Sequence, residues 1–318
     1  MQGKRLNKSI KIWLNYLIGA AVSAVLLWSI WLQVRKQISG LEGGDWLEEG
    51  EHFFLILAIV LMPINIGIEA RKWKLLASSA QPVTYLKALQ SMLAGIAISL
   101  LTPNRIGEYP GRLLYLGRKS AIRLISVSIL GAFAQFVTLF LYGIVGLVYY
   151  NLNFPGFWPR VVLFACIAIT LIFGALFLSF EKWIVYFENS RWLRKLQIYN
   201  HLLRRFTAAD VWTILGLSIL RFAIYTTQYV LLLYWMKIPV SVTDGFLMAC
   251  LFFWSIAVIP SVALAEMGIR GKVSLFLFGH FTTNALGVLT VTVGLWCINL
   301  VLPALIGSVL LLRLKLLR

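Results

Sequence analysis

Apolar and polar positions divide this chain into long apolar runs parted by short charged stretches. Runs at about 13–32, 53–70, 124–150, 160–180, 211–235 and 285–312 approach the ~20 residues that a helix needs to cross a bilayer's hydrocarbon core. The pattern predicts six spanning helices. Two further stretches, 84–121 and 239–284, are apolar but broken. In the first, residues 86–101 run into Thr102-Pro103-Asn104-Arg105-Ile106-Gly107-Glu108-Tyr109-Pro110-Gly111-Arg112, and Arg118, Lys119 and Arg123 follow. In the second, the run from Gly245 to Ile259 ends in Pro260-Ser261 and then Glu266-Met267-Gly268-Ile269-Arg270-Gly271-Lys272. Broken backbone at membrane depth survives only where protein or a wet cavity satisfies its polar groups. Each stretch is therefore expected to be a re-entrant hairpin that enters and leaves on one side.

Charge sets the expected sidedness. The N-terminal stretch is basic (Lys4, Arg5, Lys8, Lys11), the segment 33–52 is net acidic, and Arg71, Lys72 and Lys74 follow the second run at once. The segment 181–210 is again basic, with a spacing that suits an amphipathic helix on the inner leaflet, and the chain closes on Arg313, Lys315 and Arg318. Positive-inside bias then places both termini and the loops 71–85 and 181–210 in the cytoplasm, with 33–52 outside. The N-terminal run resembles a signal peptide, but it is about 20 residues long and no small-x-small site follows it, so an uncleaved first helix is expected.

The two halves of the chain, about 1–155 and 156–318, have one plan: helix, helix, broken hairpin, helix. Each hairpin carries Glu-x-x-x-Arg after its proline, Glu108 to Arg112 and Glu266 to Arg270. On a helix that spacing puts acid and base on one face, a turn apart. An odd number of crossings per half makes the halves inverted. Interrupted apolar segments in matching positions are the sequence mark of a transporter's binding site. The expected fold is a single all-α polytopic membrane domain over 1–318, an inverted repeat of about six spanning helices and two re-entrant hairpins.

Composition agrees with a bilayer solvent: 60% of residues are hydrophobic, 13% are charged, and mean hydropathy is +0.84. The net charge of +17 would suit nucleic acid, but it is confined to segments between apolar runs, where positive-inside bias accounts for it. No nucleic-acid partner is expected, and membrane phospholipids are. Cys166, Cys250 and Cys297 all lie within apolar runs and form no metal-type pair, so they read as small buried hydrophobes.

Charges inside membrane segments pair or line polar cavities. Arg105, Glu108, Arg112, Glu266 and Arg270 are therefore the leading candidates for binding substrate. Arg221, set inside Leu220-Arg221-Phe222-Ala223, is expected to face the interior. Arg71 joins them, although snorkelling from a helix end also explains it. Glu69 and Lys72 read as interfacial. Arginine's planar fork suits phosphate oxygens, and a helix starting near Pro110 would add amide donors for the same anion. The alternative is structural, each glutamate pinning its own arginine to hold a broken helix. His52, His201 and His280 are scattered, and no HExxH or Walker A loop occurs. No enzyme, metal or cofactor is expected, and Gly143-x-x-Gly146 reads as a packing surface.

Pro103-Asn104-Arg105-Ile106-Gly107-Glu108 with Arg112, upstream Arg71-Lys72-Trp73, and Pro260 through Gly268-Ile269-Arg270 resemble the transmembrane, flippase region of the lysylphosphatidylglycerol synthase family. The resemblance spans nearly the whole chain. It departs where Ala265-Glu266 stands in place of the family's usual Gly-Gly before Gly268, and where Gly271 replaces an acid. The resemblance implies translocation of anionic or aminoacylated phospholipids between leaflets of a bacterial cytoplasmic membrane. It also implies no synthesis by this chain, because nothing the size of the family's aminoacyl-transferase domain follows residue 312. Two other readings stay open, a secondary transporter of a small hydrophilic solute and a scaffold for a separate lipid-modifying enzyme. Either leaves room for a homo-oligomer.

Overall fold

A computed structural model describes residues 28, 51–100, 102, 107–116, 121–179, 205–259 and 263–312, with backbone alone for 263–267. Among the described residues the chain is helical throughout: α1 His52–Ser78, α2 Tyr85–Ser99, α3 Glu108–Leu116, α4 Ala121–Asn153, α5 Phe157–Leu178, α6 Ala208–Trp235, α7 Val242–Val258, α8 Ala263–Phe278 and α9 Ala285–Leu312. Five of these, α1, α4, α5, α6 and α9, are long and apolar enough to cross a membrane. The expected first span at 13–32, apart from Trp28, and most of the basic segment 181–210 lie outside the described residues.

The helix starts follow the sequence. Thr84, Thr207, Ser241 and Asn284 each accept a first-turn backbone N–H through the side chain, which satisfies donors that a helix start leaves open. Thr207 and Asp210 form a reciprocal capping box. One expectation needs correction. The second apolar run does not stop at residue 70 but continues as helix to Ser78. Ala70, Trp73, Leu76 and Ala77 keep an apolar face going past the basic residues, and all four are buried. Residues 71–78, expected as loop, are therefore the last turns of α1. His52, expected in a loop, opens the same helix.

α6 packs along α1, and α4 lies against α1, α5, α6 and α7. α2 is wedged between α3 and the C-terminal half of α9, while α8 lies between α7 and the N-terminal half of α9. Aromatic packing fills one end of the bundle, with Tyr229 against Phe252, Phe253 and Phe278. A second core surrounds Trp73, Leu76, Leu124 and Ile214. Gly143 and Gly146 of α4 lie against Trp254 and the α7 backbone at Leu247 and Leu251, so the glycine pair is a packing surface as expected.

The ends of the helices gather into two sets. Glu51 donates its N–H to the Trp235 carbonyl at 3.1 Å, the Tyr149 hydroxyl donates to Asp244 at 2.6 Å, and His280 stacks on Phe154 at 4.1 Å. In the other set Arg205 donates to the Ser79 carbonyl at 2.9 Å, Gln81 to the Leu116 carbonyl at 2.7 Å, and the Tyr115 hydroxyl to the Leu310 carbonyl at 2.8 Å.

Candidate functional site: a buried charge cluster beside a cavity

Four helices bring polar side chains to one place. Asn65, Glu69 and Lys72 recur along α1 at the spacing of a single helix face, as do Glu108 and Arg112 on α3 and Ser218 and Arg221 on α6. Gln135 of α4 completes the set. Glu69 sits at the centre: its Oε2 is 2.8 Å from Lys72 Nζ and 3.3 Å from Arg221 Nη1, and its Oε1 is 3.3 Å from Arg112 Nη2. Arg112 also pairs with Glu108 on its own helix. Amides tie the cations together. Gln135 Oε1 accepts from Lys72 at 3.1 Å and from Arg221 at 3.0 Å, and Asn65 Oδ1 accepts from Arg221 Nε at 3.0 Å. Glu69, Lys72 and Arg112 are 8%, 3% and 8% exposed. Charges this deep persist only when paired and hydrogen-bonded.

Arg112 is held from three sides. Its guanidinium lies over Trp73 at 4.9 Å from the ring centroid, a cation–π contact. Trp73 Nε1 donates to the Ser91 hydroxyl at 3.0 Å, which donates in turn to the Arg112 carbonyl at 2.8 Å. The close approach of α2 and α3 needs glycine at both positions of contact. A Cβ on Gly95 would lie 2.8 Å from Arg112 Cγ and from the Glu108 carbonyl, and one on Gly111 would lie 2.7 Å from Gly95 Cα.

A cavity of about 330 Å³ opens beside the cluster. Asn65, Glu69, Glu108, Gln135 and Arg221 form its polar wall, and Arg270 of α8 lines it too. Met92, Leu139, Phe222 and Phe253 are among its apolar walls. α9 enters through a π-helical turn, Cys297–Val301, next to Trp296 and carrying Asn299 and Leu300, all three on the lining. Such turns recur at functional sites because the extra residue re-aims the side chains around it.

Of the residues singled out from sequence, Glu108, Arg112 and Arg221 meet in the cluster and Arg270 reaches the cavity. Arg71 is exposed. Arg105 lies outside the described residues, and for Glu266 only the backbone is described. Glu69 and Lys72, read as interfacial, are instead the buried centre of the site, because α1 continues past them and turns that face inward. Asn65 and Gln135 were not singled out. The available signal was polar residues inside apolar runs, three of them at helical spacing on α1. Among the described residues no three His, Cys, Asp or Glu side chains come together as a metal site. Cys166 and Cys250 are buried free thiols, and Cys297 is partly buried.

The lysylphosphatidylglycerol synthase TM region family matches residues 16–307, so the chain belongs to that family. No curated protein and no solved structure matches it.

Proposed function

We propose that this member of the lysylphosphatidylglycerol synthase TM region family is a phospholipid flippase of the bacterial cytoplasmic membrane, working without covalent chemistry or an ATPase of its own. The headgroup passes through the charged cavity while the acyl tails stay in hydrocarbon. One observation carries this reading: three cations, Lys72, Arg112 and Arg221, gather about the Glu69 carboxylate, which lines a cavity that also has apolar side chains in its walls. The guanidinium forks match phosphate oxygens, which the planar group binds in pairs. Glu69 holds the cations in register when no phosphate is present.

In this reading α2–α3 and α7–α8 are re-entrant hairpins of an inverted repeat, and both termini face the cytoplasm. The bond from Gln81 to the Leu116 carbonyl supports it, since it joins the entry of the first hairpin to its exit. The contacts of Asp244 and His280 with Tyr149 and Phe154, near one end of α4, do the same for the second. Single cysteines at Lys87 and Arg123 should label from one face of the membrane; labelling from opposite faces would make α2–α3 a full crossing and remove the repeat.

Translocation is tested in vesicles carrying tail-labelled fluorescent phospholipid, following the fraction protected from a membrane-impermeant quencher. Protein-containing vesicles should equilibrate the probe, and Arg112→Lys should slow it. A charge-assisted hydrogen bond contributes about 1.5–3 kcal/mol, so losing one costs roughly tenfold to a hundredfold in rate. Wild-type vesicles no faster than protein-free ones would refute the reading. Uptake of a small hydrophilic anion in their place would favour a solute transporter.

A further inference from the structure

Glu69 and Glu108 both line the cavity, whereas Arg112 lies behind them, outside the lining formed by the described residues. One nitrogen of its guanidinium, Nη2, pairs with Oε1 of each carboxylate. Arg112 therefore sets how the two acids stand on the wall. Charges on the lining are balanced, Arg221 and Arg270 against Glu69 and Glu108, so a ligand meets their relative positions rather than a net charge. Arg221 is itself paired to Glu69, and moving one disturbs the other. The aim of Arg112 thus reaches the cavity through its partners.

A side chain as long as arginine has many rotamers to lose, and holding it at both ends removes most of them. Trp73 holds both ends of Arg112. Its ring carries the guanidinium, and its Nε1–H reaches the Arg112 carbonyl through the Ser91 hydroxyl. Ser91 is the telling member of this chain. A buried hydroxyl within a helix ordinarily donates to a carbonyl one turn back, as Ser128, Thr138, Thr170 and Thr226 do. Ser91 instead donates out of α2 to α3, from a fully buried position. Gly95, one turn further along the same face of α2, leaves room for the Arg112 stem.

We propose that Ser91 is a positioning residue of the headgroup site. By passing the Trp73 hydrogen bond on to the Arg112 backbone, it keeps Arg112 aimed at Glu69 and Glu108 and so sets the arrangement of charge that a ligand meets. The role rests on the headgroup site proposed above, and a binding measurement tests it apart from transport. The full-length protein in detergent is titrated with tail-labelled phosphatidylglycerol as the probe, and the apparent Kd is read by fluorescence anisotropy beside the thermal midpoint. Ser91→Ala should weaken binding about three- to tenfold, the range of one neutral hydrogen bond. Trp73→Phe keeps a ring over Arg112 but removes the N–H donor, so it should weaken binding in the same range. The double variant should bind no more weakly than the worse single, because both residues act through one chain. A hydroxyl that only holds the fold together would lower the midpoint and leave the Kd alone, and that result in either folded variant overturns the proposal. So do two effects that multiply in the double variant, and so does a wild type that fails to bind the probe. If Ser91→Ala does not fold, Trp73→Phe decides alone. The expected Kd shifts, with wild-type vesicles that move lipid no faster than protein-free ones, uphold the positioning role and refute the flippase reading.

Discussion

The two broken segments carry the same Glu-x-x-x-Arg spacing after a proline, yet they end in different surroundings. In α2–α3 the helices touch at Gly95 and Gly111, and Arg112 is clamped between Glu69, Glu108 and Trp73. In α7–α8, Arg270 is only partly buried at the cavity wall, and a Cβ on the nearby Gly268 would meet nothing among the described residues within 4 Å. The difference lies in what each segment packs against. α1 presents Glu69 and Trp73 to Arg112 of α3, whereas α9 presents Leu289 near Gly271 of α8. A shared spacing makes an i,i+4 pair available; in α2–α3 the helix opposite brings that pair into a buried network.

Removing the shared carboxylate should give the largest effect. Glu69→Gln leaves Lys72, Arg112 and Arg221 without their common counter-charge, and breaking a buried pair from one side costs about 3–5 kcal/mol. The expected outcome is a steep fall in folded yield and in the thermal midpoint measured in detergent. A midpoint within a degree of wild type would mean that the network holds nothing together.

The next test sets the two arginines side by side. Arg112→Gln should cost about 3 kcal/mol, because Glu69 and Glu108 both lose a buried partner. Arg270→Gln, at a partly exposed site, should cost under about 1 kcal/mol. Equal losses by the same thermal assay would erase the contrast between the segments.

Glycine substitutions sharpen it with smaller effects of opposite sign. Gly95→Ala drives a methyl into Arg112 and the Glu108 carbonyl, and overpacking of this kind costs about 1–3 kcal/mol. Gly268→Ala places a methyl within a helix where no atom of the described residues lies within 4 Å, and alanine is favoured there by about 1 kcal/mol. The first should lower the thermal midpoint and slow lipid movement, and the second should raise the midpoint by a few degrees at most. Destabilisation by Gly268→Ala would show that α8 is packed as tightly as α3.

The sequence by itself determined the membrane class, the apolar runs that become α1, α4, α5, α6 and α9, the two breaks, and the Glu108–Arg112 pair. All of these are local. Hydropathy is read over one helix length, a proline acts on its own turn, and an i,i+4 contact needs only the helix that carries it. Only the tertiary structure decided that Glu69 is the centre of the site. Nothing local distinguishes the inward Glu69 and Lys72 from the outward Arg71, which sits beside Lys72 in the chain. A step of one residue rotates the side chain by about 100°, since a helix has 3.6 residues per turn. The direction it then faces is set by how α1 is seated against α3, α4 and α6. Gln135 and Arg221 meet across 86 positions of sequence for the same reason. Spacing along one helix is written in the chain, while the rotation of that helix against its neighbours exists only once they have packed.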